Sequence, residues 1–152
     1  MKNILLLAII LFSVTAIAQR KKIKNIIEKD GKIGIGTTQP DELLTVKGKI
    51  HTQEVIVDLK GAIVPDYVFE SYYEKNSKLN STYRLLTLSE IETYIKEEHH
   101  LPKVPSAKEI EENGLSLKEM SLLLLEKIEE LTLFTIQQQK EIDLLKTQMK
   151  NN

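Results

Sequence analysis

His99 and His100, preceded by Glu97 and Glu98, come nearest in type to a metal site, with His51 the remaining histidine. Their spacing argues against one. Adjacent helical residues point about 100° apart, so neighbouring imidazoles do not share a coordination vertex, and neither has a histidine four residues away. A place at the end of a helix, where imidazole suits the terminal carbonyls, accounts better for both. Ser77-Lys78 sets a hydroxyl beside an amine, but the chain holds neither a Gly-x-Ser-x-Gly elbow nor a Ser-x-x-Lys motif. Gly31, Gly34 and Gly36 pose the question of a phosphate loop. Such loops run from a strand into a helix N-terminus, whereas here the following segment is strand-like and no Gly-Lys-Ser/Thr occurs. Turn glycines in a tight β-element fit better. Tyr67, Phe69, Tyr72, Tyr73 and Tyr83 are five of the eight aromatics. They suit a sugar-stacking platform or, more readily, the packing of a small core. No catalytic constellation stands out, and the expectation is a protein without enzymatic activity, cofactor or metal.

The elements that would position these residues must fit into 152 residues, 41% hydrophobic and 28% charged, which is one ordinary domain or two small pieces. With no cysteine there is no disulfide, thiolate ligand or cysteine nucleophile. A net charge of -1 gives no polycation for nucleic acid or anionic membrane.

Residues 1–18 have the three-part form of a secretory signal: Met1-Lys2-Asn3, an apolar run from Ile4, then small residues with Ala16 and Ala18 before Gln19. The run spans about 15 residues, short of the roughly 20 that cross a bilayer, so cleavage is expected and no transmembrane segment in the mature chain. Residues 19–30 begin with four basic side chains, Arg20, Lys21, Lys22 and Lys24, and read as a solvated linker rather than a nucleic-acid or lipid-binding arm.

Residues 31–60 alternate apolar and polar positions through Ile33 and Ile35, then Leu44, Val46, Gly48 and Ile50, then Val55 to Leu59, which predicts short strands. Such a sheet cannot bury both faces alone. Residues 61–114 form a small α+β segment. Thr87-x-x-Glu90, Ser106-x-x-Glu109 and Ser116-x-x-Glu119 each match a capping box and start three helices. The first should end before Leu101-Pro102, the second at Asn113-Gly114, and Pro102 and Pro105 hold an extended connector.

Residues 115–150 carry the clearest pattern. Leu117, Leu124, Leu131, Gln138 and Leu145 recur every seven residues, and Ser121, Ile128, Thr135, Ile142 and Met149 recur at an offset of four. With the second set at a and the first at d, they form a coiled-coil seam about 50 Å long. Glu141 at g and Lys146 at the next e are placed for an interchain pair. Near its start the helix is apolar nearly all round, as Met120, Leu122, Leu123 and Leu125 attest, so it begins against its own domain and runs on into self-association. The heptad leaves Leu133 outside the seam, and its replacement is expected to be mild.

Gly31-Lys32-Ile33-Gly34-Ile35-Gly36-Thr37-Thr38-x-Pro40 with Leu44-x-Val46-x-Gly48 resembles a β-element of phage tail-fibre-like and related bacterial surface proteins. Asp66-Tyr67-Val68-Phe69, His100-Leu101-Pro102-x-Val104-Pro105-Ser106-Ala107 and Lys127-Ile128-Glu129-Glu130-Leu131 resemble the C-terminal segment of secreted tail-fibre-like proteins. That segment is distantly similar to the endosialidase-type intramolecular chaperone. The resemblance implies a homotrimer, with β-structure wound about a three-fold axis and a helical bundle that sets register. The chaperone family cleaves itself at a Ser-Asp-x-Arg-x-Lys motif. No Ser-Asp dipeptide occurs here, so no residue inherits that role. Ile at a with Leu at d leans toward two strands. The resemblance, with Thr135 and Gln138 weakening that rule, favours three.

The expected protein is therefore α+β, exported to the periplasm, cell surface or medium, structural or interactive rather than enzymatic, and assembled from copies of itself. Self-cleavage and carbohydrate binding are the rival readings. Export makes a direct prediction. N-terminal sequencing of the exported protein should begin at Gln19, and a bulky residue at Ala18 should leave the precursor uncut; an intact Met1 in the medium or envelope fraction would contradict it.

Overall fold

The computed structural model describes residues 25–151. The proposed signal, its cleavage residues Ala16, Ala18 and Gln19, and the basic cluster of residues 20–24 lie outside that range. The chain is mixed α+β, with a small three-stranded sheet and a long C-terminal helix, and it divides into two compact units at Val55/Ile56.

In the first unit β1 (Ile26–Lys29) and β2 (Lys32–Ile35) form an antiparallel hairpin. Its turn is Asp30-Gly31, with φ of 53° and 76°. Positive φ at both central residues matches the right-handed twist of the strands, and Asp-Gly adopts it at low cost. β1 falls inside the stretch expected to be linker. Basic residues concealed the short apolar pair Ile26-Ile27, which needs only the adjacent β2 to form a ladder. β3 (Leu44–Val46) pairs parallel to β2, with Gly34 opposite Thr45. Two glycines permit close backbone approaches in this unit. A Cβ on Gly34 would lie 2.6 Å from the Thr37 carbonyl oxygen, and one on Gly36 (φ 73°) 2.8 Å from that of Lys47. Thr45 ties the intervening turn by donating to Asp41 Oδ1 at 2.6 Å and accepting from the amides of Asp41 and Glu42.

The strands expected beyond Val46, through Ile50 and across Val55–Leu59, are absent. A strand needs a ladder partner, and among the described residues this segment has none. Its β-branched side chains stay exposed, Ile56 at 89%.

The second unit holds α1 (Tyr67–Glu74), α2 (Leu88–Glu98), α3 (Ala107–Asn113) and α4 (Leu117–Lys150). Thr87 and Ser106 close full capping boxes with Glu90 and Glu109. Ser116 only accepts from the Glu119 amide, so the third box is half made. Arg84 adds a two-pronged bond to Glu90, at 3.2 and 3.0 Å, and together with the cap holds that carboxyl down to about 2. Helix α1 forms from the aromatic residues of the small α+β segment, with no side-chain cap at its N-terminus. Its N-terminal end packs on α4, burying Tyr67, Val68 and Leu133 with Phe69, Tyr83 and Leu85 alongside.

Leu133 is 1% exposed, which overturns the expectation that replacing it would be mild. The heptad defines only an expected seam, and Leu133 lies outside it, on the side of the helix where the unit's own core forms. Leu133→Ala should cost about 2–5 kcal/mol in urea denaturation; a loss below about 0.5 kcal/mol would contradict this packing.

Candidate functional site: two faces of the C-terminal helix

Glu126, Glu129, Glu130 and Leu133 are the buried residues of α4. Their spacing of three, four and seven makes one stripe, the f, b and c positions of the heptad. Leu133 stands about 140° from Ile128 and about 160° from Leu131 around the axis. The unit's own packing therefore occupies the side of α4 away from the seam.

Three carboxylates in that stripe require partners, because a buried charge left alone is costly. Tyr67 donates its hydroxyl to Glu126, and Tyr83 donates to Glu130 at 3.1 Å. Lys127 reaches Glu126 at 3.1 Å and Glu130 at 2.8 Å. Lys103 closes the set, with Nζ 2.8 Å from Glu126 and 5.0 Å from the centre of the Tyr83 ring. The tyrosine rings meet at 5.0 Å, tilted by 55°.

The loop after α2 delivers Lys103. His99 ends that helix with φ 61°, its amide bonded to Ile95 O, and Lys103 itself has φ 68°. The connector expected to be extended between Pro102 and Pro105 is thus folded back through a left-handed residue, with the Val104 amide bonded to Leu101 O. Two ion-pair and cation–π contacts offset the cost of that conformation. His100 packs edge-on against Tyr94 at 5.5 Å and sets Nδ1 3.0 Å from Leu101 O. The backbone at His99 performs the capping that the sequence reading gave to imidazole.

Burial pushes the Tyr67 and Tyr83 hydroxyls up, and their acidic neighbours push them further. Burial also opposes ionisation of Glu126, but the bonds from Lys103, Tyr67 and Lys127 outweigh it and hold that carboxyl below its usual range. Glu129 differs. Burial raises its pKa, Asp66 and Glu126 add to the effect, and Oε2 is buried without a hydrogen-bond partner.

All ten seam residues, Leu117, Ser121, Leu124, Ile128, Leu131, Thr135, Gln138, Ile142, Leu145 and Met149, are exposed. Ile128 keeps 59% of its accessible surface, Leu131 64% and Met149 79%. From Gln137 to the end of α4 every side chain is exposed.

Other candidates disperse. Ser77 is 2% exposed, bonds to Glu70, and accepts from the Leu79 and Asn80 amides, so its hydroxyl serves a turn. The aromatic cluster splits, with Tyr67 and Tyr83 in the core and Tyr72 and Tyr73 outside, edge to face at 5.0 Å. Among the described residues no three acidic or histidine side chains gather as a metal site, and no helix is long and apolar enough to cross a membrane. Sequence reasoning missed the Lys103–Tyr67–Tyr83–Glu126 cluster. The signal lay in acids at 126, 129 and 130 recurring with Leu133 at helical spacing opposite the seam. No family model, curated protein or solved structure matches this chain.

The two unlike glutamates give opposite pH dependences. Folded protein holds the Glu129 proton more tightly than the unfolded chain does. That site therefore favours folding below the ordinary Glu value, and the benefit is lost as pH rises through its raised one. Glu126 contributes above the ordinary value, and its contribution is lost as pH falls through its depressed one. Glu129→Gln should therefore stabilise by about 1 kcal/mol at neutral pH, with the gain shrinking on acidification. Glu126→Gln should destabilise at neutral pH and lose its effect in acid. Urea titrations across pH check both, and curves parallel to wild type at every pH would contradict them.

Proposed function

We propose that this chain is an exported, non-enzymatic structural or interaction protein of tail-fibre-like type, assembled from copies of itself through the a/d seam of α4. The observation that carries the reading is the division of α4 into two faces. Its own unit packs on the f, b and c positions, while every a and d position from Leu117 to Met149 stays exposed. An apolar stripe of that length on a lone helix is unfavourable in water and marks an interaction surface.

Three copies are favoured over two because the Gly31–Gly48 and His100–Ala107 motifs resemble trimeric tail-fibre-like proteins. A carbohydrate-binding reading keeps the support of the exposed Tyr72 and Tyr73 rings. The self-cleaving reading has neither a Ser-Asp motif nor a free Ser77 hydroxyl.

Sedimentation equilibrium of the residue 19–152 protein should give three times the chain mass at micromolar concentration. Replacing both Ile128 and Leu131 by Asp should convert it to monomer, since two charges per copy would enter the seam. A wild-type monomer across that range contradicts the proposal.

A further inference from the structure

We infer that the copies meet in parallel and in register, and that the Gln138 side chain specifies this arrangement; the inference rests on the self-assembly proposed above. Residues 137–139 are three consecutive glutamines, and the outer two are satisfied within their own helix. Gln137 Nε2 donates to Glu141 Oε1 at 3.1 Å, and Gln139 Nε2 donates to Asp143 Oδ1 at 2.9 Å. Four residues beyond Gln138 stands Ile142, which offers no acceptor, and neither of the bonds that satisfy its neighbours reaches the Gln138 amide, which has no hydrogen-bond partner among the described residues. The remaining polar seam residues need nothing from outside. Ser121 returns its hydroxyl to Leu117 O at 2.7 Å, and Thr135 returns its own to Leu131 O at 2.8 Å.

Gln138 borders a groove that Leu85–Leu88 of its own unit also line, but none of those residues bonds its amide, so once the seam closes the polar group finds its partner on another chain. A buried amide without a partner is costly, so the arrangement that supplies one is selected. Parallel, in-register copies bring Gln138 level with Gln138, and an amide carries both the donors and the acceptor to bond with its own kind. Antiparallel overlap of the whole seam sets Gln138 against Ile128 and leaves the amide in an apolar layer. A single polar layer that fixes register at some cost in stability is an established device of coiled coils. The occupant of the seam is therefore a second copy, because the required complement is the residue itself. Glu141 at g and Lys146 at the following e, both exposed, fit the same parallel register.

The cysteine-free chain allows a clean test. Met149→Cys and Leu117→Cys are each introduced alone into the residue 19–152 protein, expressed singly, and co-expressed with a size tag on one. Under mild oxidation Met149→Cys alone should give an interchain disulfide as the main product, and co-expression should give no mixed product above background. Adding Gln138→Leu should keep the particle oligomeric by light scattering, lower the Met149→Cys product at least twofold, and let the mixed product appear. Oligomers whose main disulfide joins position 117 to position 149 would overturn the inference and leave self-assembly standing. So would a cross-linking pattern that Gln138→Leu leaves unchanged. A monomeric mass at every concentration would overturn self-assembly, and the inference with it.

Discussion

The packing of Leu133 with Tyr67 and Val68 of α1 is the constraint on which the second unit depends. A helix has one rotational setting, and burying Leu133 fixes it for all 34 residues of α4. Once that face is turned toward the unit's core, the a and d positions point away from it as a matter of helical geometry. The exposure of Ile128, Leu131 and Leu145 is therefore a consequence of how the core is built. The same setting keeps the a and d positions exposed well beyond the last buried residue, and in the distal half of α4 Leu144 is the one exposed leucine outside them.

The stripe beside Leu133 is acidic, and this shapes the rest of the unit. Glu126 and Glu130 can be buried only because two tyrosines and two lysines converge on them from α1, the segment around Tyr83, the loop after α2 and α4 itself. Each partner is fixed by its own local device: the Tyr67 helix, the left-handed backbone at His99 and Lys103, and the capping boxes that start α2 and α3. The result is a small apolar centre held within a polar shell. Glu129 is the exception, a buried carboxylate whose second oxygen lacks a bond.

Much of this was legible in the sequence. The capping signatures placed the starts of α2, α3 and α4, and Asn113-Gly114 marked an end, because these signals act within a few residues of themselves. The heptad identified the exposed face of α4 residue by residue. What escaped notice depends on contacts distant in sequence. Leu133 looked peripheral because the seam was the only face the heptad could define, and α1 was hidden in aromatic residues with no capping signal. Lys103 stands in a proline-bracketed run that reads as extended until Glu126 and Tyr83 are in place to hold it folded. The strand pattern at Val55–Leu59 is real as a pattern. A period of two expresses willingness to pair, and within this chain no partner edge is available among the described residues.

The central claim is that α4 serves two masters: its own unit on one face and other copies on the opposite one. Hydrogen exchange followed by mass spectrometry, over a dilution series, tests it directly. A lone exposed helix of this length is marginal and exchanges quickly. The account predicts that amides from Gln138 to Met149 are strongly protected at high concentration and lose that protection on dilution, while those around Leu133 stay protected longer. Rapid exchange of the distal segment at every concentration would contradict it.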